Sequence, residues 1–149
     1  IKKWLSQGKI VVADRYIGSA IGHQGGKIKN KESRKRFLRW LFDLEFNIFA
    51  IPRPDITLIL KTSPEIAKAF AAKIKNKKKD AQRQAYLGKK KRDIHEKDLK
   101  HLADSLRSYL EAAKEYPRDF RVIDCLQKGK LLPPGEIHEK VWAGVQKIL

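Results

Sequence analysis

The sequence predicts an α/β fold built on a parallel sheet with helical crossovers. Three short β-branched runs, residues 10–14 (IVVAD), 55–60 (DITLIL) and 120–124 (FRVID), are separated by stretches with helical apolar periodicity. Each gap between runs is long enough to hold a helix, and strands alternating with helices form parallel sheets. In such sheets ligands bind beyond the carboxyl ends of the strands. The chain has 149 residues, enough for a single domain over residues 1–149.

Element by element, IKKWLSQGK reads as the last turns of a helix running into a turn at Gly8. The run 10–14 is wholly apolar in its middle, the pattern of a strand covered on both faces. Residues 33–49 form a helix whose stripe of Phe37, Leu41, Leu44 and Ile48 is broadened by Leu38, Trp40, Phe42 and Phe49, so the helix is expected to be well buried. Pro52 and Pro54 stop it. After the strand 55–60, either Ser63 with Pro64 at the first helical position or Thr62 with Glu65 three residues on can cap a helix running to about Ile74. A short helix is expected over 80–87. A long one follows over 94–116, with Leu99, Leu102, Leu106, Leu110 and Ala113 inward and Pro117 as its stop. The last helix, 136–149, turns Ile137, Val141, Val145 and Ile148 inward. Trp4, Trp40 and Trp142 are expected in the core.

The net charge is +17. Such a balance favours phosphate-bearing partners without distinguishing nucleic acids from small nucleotides. Ten of the basic residues lie between Lys73 and Arg92 against the single acid Asp80. No apolar run approaches the roughly 20 residues of a membrane helix, and the first residues contain no hydrophobic leader core. The single cysteine, Cys125, excludes an internal disulfide and a CxxC metal site, and fits a reducing, cytoplasmic compartment. It is expected to be a small buried residue. His95, His101 and His138 lack ligand spacing and are expected on helix surfaces.

The chemistry concentrates where the first strand opens into DRYIGSAIGHQGG, residues 14–26. An Asp at a strand tip can hold Mg²⁺ directly or through water. The adjacent Arg15 can grip a phosphate with two parallel hydrogen bonds, although an Asp–Arg pair is also an ordinary ion pair. Ser19 and Gln24 offer groups suited to a sugar or base edge, and a Gln can both donate and accept, as a pyrimidine ring requires.

Asp14-Arg15-Tyr16, Ser19 and His23-Gln24-Gly25 together resemble the DRY…S…YQG signature of the thymidylate kinases. Pro54-Asp55-Ile56-Thr57-Leu58 is similar to their PDLTL strand, Thr62 to Ala67 to the helix start after it, and Asp93-Ile94-His95-Glu96 to the D-x-x-E that closes their lid. The resemblance implies a three-layer P-loop nucleoside monophosphate kinase-like fold. It also implies transfer of the γ-phosphate of ATP to dTMP, with Mg²⁺ as cofactor. Arg15 would then hold the dTMP phosphate, Asp14 would organise Mg²⁺, and Tyr16, Ser19 and Gln24 would line the nucleoside pocket. The basic segment, about residues 73–96, would be the lid, setting Arg83, Lys91 and Arg92 against the transferring phosphoryl group. Chemistry of this kind is mostly positioning and electrostatics. The resemblance further implies a homodimer, for which the helix 33–49 offers an interface.

The sequence departs from that pattern. A phosphate-cradling loop needs G-x-x-x-x-G-K-[ST]. Five positions before the glycines of the four Gly-Lys pairs stand Lys3, Ile21, Arg83 and Asp124, and no such lysine precedes Ser or Thr. The chain also contains no methionine. It is therefore expected to be part of a longer protein, with the first strands of the fold absent. By the roughly 30 residues of a βαβ unit, about 60–70 residues would be missing, and the fragment is expected to be unstable and inactive alone. His23 stands where the family often has Tyr, Gly22 where it often has Ala, and Ile94 where an Arg is common. Two other readings compete. A nucleic-acid-binding module is supported by the charge but lacks stacking aromatics, with only Tyr86 among the lysines. A catalytically dead relative kept as a binding protein would need no phosphate loop.

Overall fold

In the computed structural model, which describes residues 1–73 and 99–149, a pair of parallel strands separates two helical layers. Strand β1 (Thr57–Lys61) runs beside β2 (Phe120–Asp124) in the register Thr57 to Phe120 through Lys61 to Asp124. Thr57 N–H donates to Asp119 O at 2.8 Å, and Cys125 N–H donates to Lys61 O at 2.9 Å, extending the ladder at both ends. A parallel pair cannot be joined by a tight turn. The crossover leaves β1 through α4 (Pro64–Lys73) and returns through α5 (Leu99–Glu115). Ser63 accepts from Ile66 N–H at 3.2 Å, so Ser63 rather than Thr62 caps α4. The expected helix over 80–87 and nearly all of the expected lid fall outside the described residues.

Alternation along the strands sets the layers. Ile59 and Phe120 join one buried cluster with Ile17, Ile21, Leu38, Leu41, Phe42 and Ala112, drawn from α2 (Ile17–His23), α3 (Lys31–Phe42) and α5. Phe42 sits at its centre, edge-on to Tyr116 at 4.7 Å between ring centroids and stacked on Phe120 at 6.3 Å. Leu58 and Arg121 face the other way, against Gly144 of α6 (Pro134–Val145), where Arg121 also donates to Gly144 O at 3.1 Å. Between β2 and α6 a two-residue hairpin, β3 (Leu126–Gln127) and β4 (Lys130–Leu131), turns through Lys128 and Gly129, both at positive φ.

Four expectations are corrected. Residues 10–13 form no strand: they pair with no other strand among the described residues, and Ile10 and Val12 are 71% and 91% exposed. Their apolar pattern describes a strand with neighbours on both sides, and the β1–β2 pair does not reach them. The helix expected over 33–49 starts earlier, where Asn30 accepts from Ser33 N–H at 2.9 Å, and passes at Asp43 into a π-helical turn (Asp43–Ile48). Its buried side is Leu38, Leu41 and Phe42, while Trp40, Ile48 and Phe49 are exposed. Trp4 and Trp142 are exposed as well, so none of the three tryptophans is in the core. Finally, α5 buries Ser105, Ser108 and Ala112 rather than its leucine stripe, and Leu99 is exposed. The short α1 (Lys2–Leu5) before Gly8, the strand 120–124 and the buried Cys125 are as expected.

Candidate active site

The segment expected to carry the chemistry wraps around α2. Asp14, Arg15 and Tyr16 form the bend that enters the helix, and Gln24 leaves it. Arg15 has φ +70°, the left-handed region that costs a side-chain-bearing residue about 1 kcal/mol or more and clusters at functional sites. Asp14 and Arg15 are both exposed, and among the described residues neither has an ion-pair partner. The Asp–Arg pair that the sequence allows is therefore not made. Tyr16 is anchored: its hydroxyl donates to Pro52 O at 3.1 Å, and burial, then the charge of Glu45, pushes its phenol above the usual range.

The other end of α2 is pressed against α5. Ser108 Oγ donates to Ile21 O at 2.7 Å. A Cβ on Gly22 would lie 2.3 Å from the Tyr109 ring, and one on Gly26 would lie 3.0–3.1 Å from the backbone of Asp104 and Ser105. An added Cβ would displace the Tyr109 ring at Gly22 and press on the backbone of α5 at Gly26, so both close approaches are made by glycines. The small residues of α5 are buried for the same reason. Gln24 itself is exposed, and its Oε1 accepts from Lys27 Nζ at 3.2 Å. Ser19 is half-buried on α2. Burial raises the Tyr109 phenol, with the nearby Arg15 cation pulling the other way.

The structure thus brings Asp14, Arg15, Tyr16, Ser19 and Gln24 onto one bend–helix–turn. Arg83, Lys91 and Arg92 lie outside the described residues. Asp124, at the carboxyl end of β2, is held by Lys61 at 2.7 Å, which lowers its carboxyl, as does the Leu126 N–H. Several residues at this site were invisible in the sequence. His101 is not an ordinary surface residue: its Nε2 lies 3.0 Å from Nδ1 of His23, the rings stacked 12° from parallel. Arg34 is buried and meets Glu111 with two bonds of 2.8 Å. The only prior trace was the spacing of Ser105, Ser108 and Ala112 on one helical face. Among the described residues no cluster of three His, Cys, Asp or Glu could hold a metal ion, and no helix is long and apolar enough to cross a membrane.

Comparison with known proteins gives this arrangement a family. A thymidylate kinase of Nitrosospira multiformis is 31% identical over 123 residues, covering 83% of this chain and 50% of that protein. A thymidylate kinase of Lactobacillus acidophilus is 26% identical over 129 residues, 85% of this chain and 50% of its own. A probable thymidylate kinase of Pyrobaculum aerophilum is 35% identical over 69 residues, 46% of this chain and 31% of its own. The chain thus spans half or less of the length of these relatives. The thymidylate kinase family model matches residues 1–132, from the short first helix through the β3–β4 hairpin. With that match across most of the sequence, the chain belongs to the thymidylate kinase family.

Proposed function

We propose that this chain carries the monophosphate-binding part of an enzyme that transfers the γ-phosphate of ATP to dTMP, giving dTDP. The observation that carries the reading is the geometry of α2. The strained, exposed Arg15 stands at one end and Gln24 at the other, separated by a helix of seven residues, about 10 Å. That is the length scale of a nucleoside monophosphate. Arg15 takes the phosphate through its planar fork. Ser19 and Tyr16 border the sugar, and Gln24 meets the thymine edge.

The donor set also fits a magnesium ion. Mg²⁺ is bound through one or two carboxylates, substrate phosphates and water, and Asp14 offers one exposed carboxylate with no ion-pair partner among the described residues. The ion would neutralise charge on the phosphates. Arg83, Lys91 and Arg92 would surround the transferring group from the lid. We further propose a homodimer through the exposed apolar side of α3 at Trp40, and a cytoplasmic setting, which suits the free Cys125.

Coupled assay of the protein as its host makes it, with ATP and dTMP, dUMP, dCMP or dGMP, tests the reading. Preference for dTMP supports it; equal use of all four removes the thymidylate assignment and leaves a kinase. Arg15→Ala should raise the KM for dTMP with little loss of stability, because the side chain is exposed. Binding to DNA or RNA with steep salt dependence and no phosphotransfer would favour the nucleic-acid reading suggested by the +17 charge.

A further inference from the structure

Of the lysines and arginines among the described residues only Arg34 is buried, 2% exposed. Each of its three guanidinium nitrogens donates. Nε donates to Glu111 Oε2 and Nη2 to Glu111 Oε1, both at 2.8 Å, while Nη1 donates to Ile28 O. One planar group therefore joins three segments: α3, where it resides, α5 through Glu111, and the end of the turn that begins at Gln24. A planar fork of this shape can grip a carboxylate with two parallel bonds while still reaching a carbonyl, a geometry that an ammonium, acting as a point charge, does not reproduce.

The turn needs such a hold. Gly25 and Gly26 have no side chains of their own to anchor it. Its internal backbone bonds are two short-range contacts, Lys27 N–H to Gln24 O and Ile28 N–H to Gly25 O, each 3.1 Å. Next to it, Lys29 reaches Asp104 at the surface. Arg34 supplies the buried attachment on the same side.

We propose that Arg34 is a positioning residue for substrate, holding the Gln24 turn against α5 so that the Gln24 amide is presented in one place; this rests on the dTMP reading above. A buried charge pair contributes little net stability compared with apolar residues of similar volume. Its return lies in geometry, since misplacing a contact group costs affinity without unfolding the chain.

The test replaces both partners, Arg34→Met with Glu111→Leu, so that no lone charge is left buried. Hydrogen exchange of the Lys27 and Ile28 amides, Tm, and the separate KM values for dTMP and ATP are measured in the protein as its host makes it. The expected result is exchange about tenfold faster at the turn, KM for dTMP raised about tenfold with KM for ATP unchanged, and Tm close to wild type. Arg34→Lys, which keeps the charge but loses the fork, should move the same quantities less, and serves if the double variant does not fold. A loosened turn with unchanged KM for dTMP overturns the proposal, as does unchanged exchange, or a parallel rise of both KM values with a fallen Tm. If the wild type ignores dTMP, the thymidylate reading fails, and the exchange data alone then decide whether Arg34 holds the turn.

Discussion

Two neighbouring regions reverse the usual relation between hydrophobicity and burial. Residues 10–13 are Ile-Val-Val-Ala, and Ile10 and Val12 lie open beside a groove of about 260 Å³ lined by Trp4, Lys9, Ile10, Val11 and Val12. A few residues on, Gly22, Gly25 and Gly26 are buried against Tyr109, Ser108 and the backbone at Asp104 and Ser105. Burial here follows the partner surface. The polar stretch is buried because α5 offers small residues and a hydroxyl that satisfies Ile21 O, and buried polar groups are tolerated once bonded. The apolar stretch is open because no ladder partner among the described residues reaches it.

The sharpest way to break this comparison is at the core under α2. Ile21 and Leu38 are 0% and 1% exposed, so Ile21→Ala or Leu38→Ala should cost about 2–5 kcal/mol in urea unfolding; a loss below about 1 kcal/mol would mean that α2 does not pack as described. Next is Gly26→Ala. Its Cβ would press on the backbone of α5 at 3.0–3.1 Å, and overpacking of this kind costs about 1–3 kcal/mol. Removing the Asn30 cap with Asn30→Ala should cost about 1 kcal/mol by the same measurement.

Acid sensitivity probes the surface seam between the turn and α5. The hydrogen bond from Lys29 holds the Asp104 carboxyl below the usual range, helped by the charges of Lys29, Arg107 and Lys100. A depressed folded value gives stability that is present above about pH 4 and lost as the pH falls through the folded value. Lys29→Met should therefore lower stability at neutral pH, with the two proteins converging in acid; a constant difference down to the lowest pH would exclude this coupling. The smallest effect is expected at Val12. Since the side chain is already open, Val12→Ser should change stability by less than about 0.5 kcal/mol. A larger loss would show that residues 10–13 are covered in solution, and the contrast between the two regions would disappear.

The local elements with strong chemical punctuation were legible in the sequence. Pro117 ends α5 near where it should, Ser63-Pro64 starts α4, and the strand 120–124 has the boundaries that its β-branched run suggests. The candidate site's residues were singled out by a resemblance, and the roles given to them stand as proposals. Asp14, Arg15, Tyr16, Ser19 and Gln24 each have an ordinary structural reading, and it was their order and spacing, resembling a family signature, that set them apart. The left-handed backbone at Arg15 and the tie from Tyr16 to Pro52 were not legible, because both depend on residues outside the motif.

By itself, then, the sequence determined the α/β alternation, two of its strands, the start of α4 and the stop of α5. These rest on interactions within a few residues, or on patterns that any strand or helix must carry. Only the tertiary structure decided which apolar residues are covered, that Arg34 is buried while its basic neighbours on α3 are more exposed, that His23 meets His101, and that α5 buries serines in preference to leucines. Each of those is a contact between segments far apart in the chain. Hydrophobic pattern states how much surface seeks cover; which partner arrives, and how close its backbone can approach, is settled by packing.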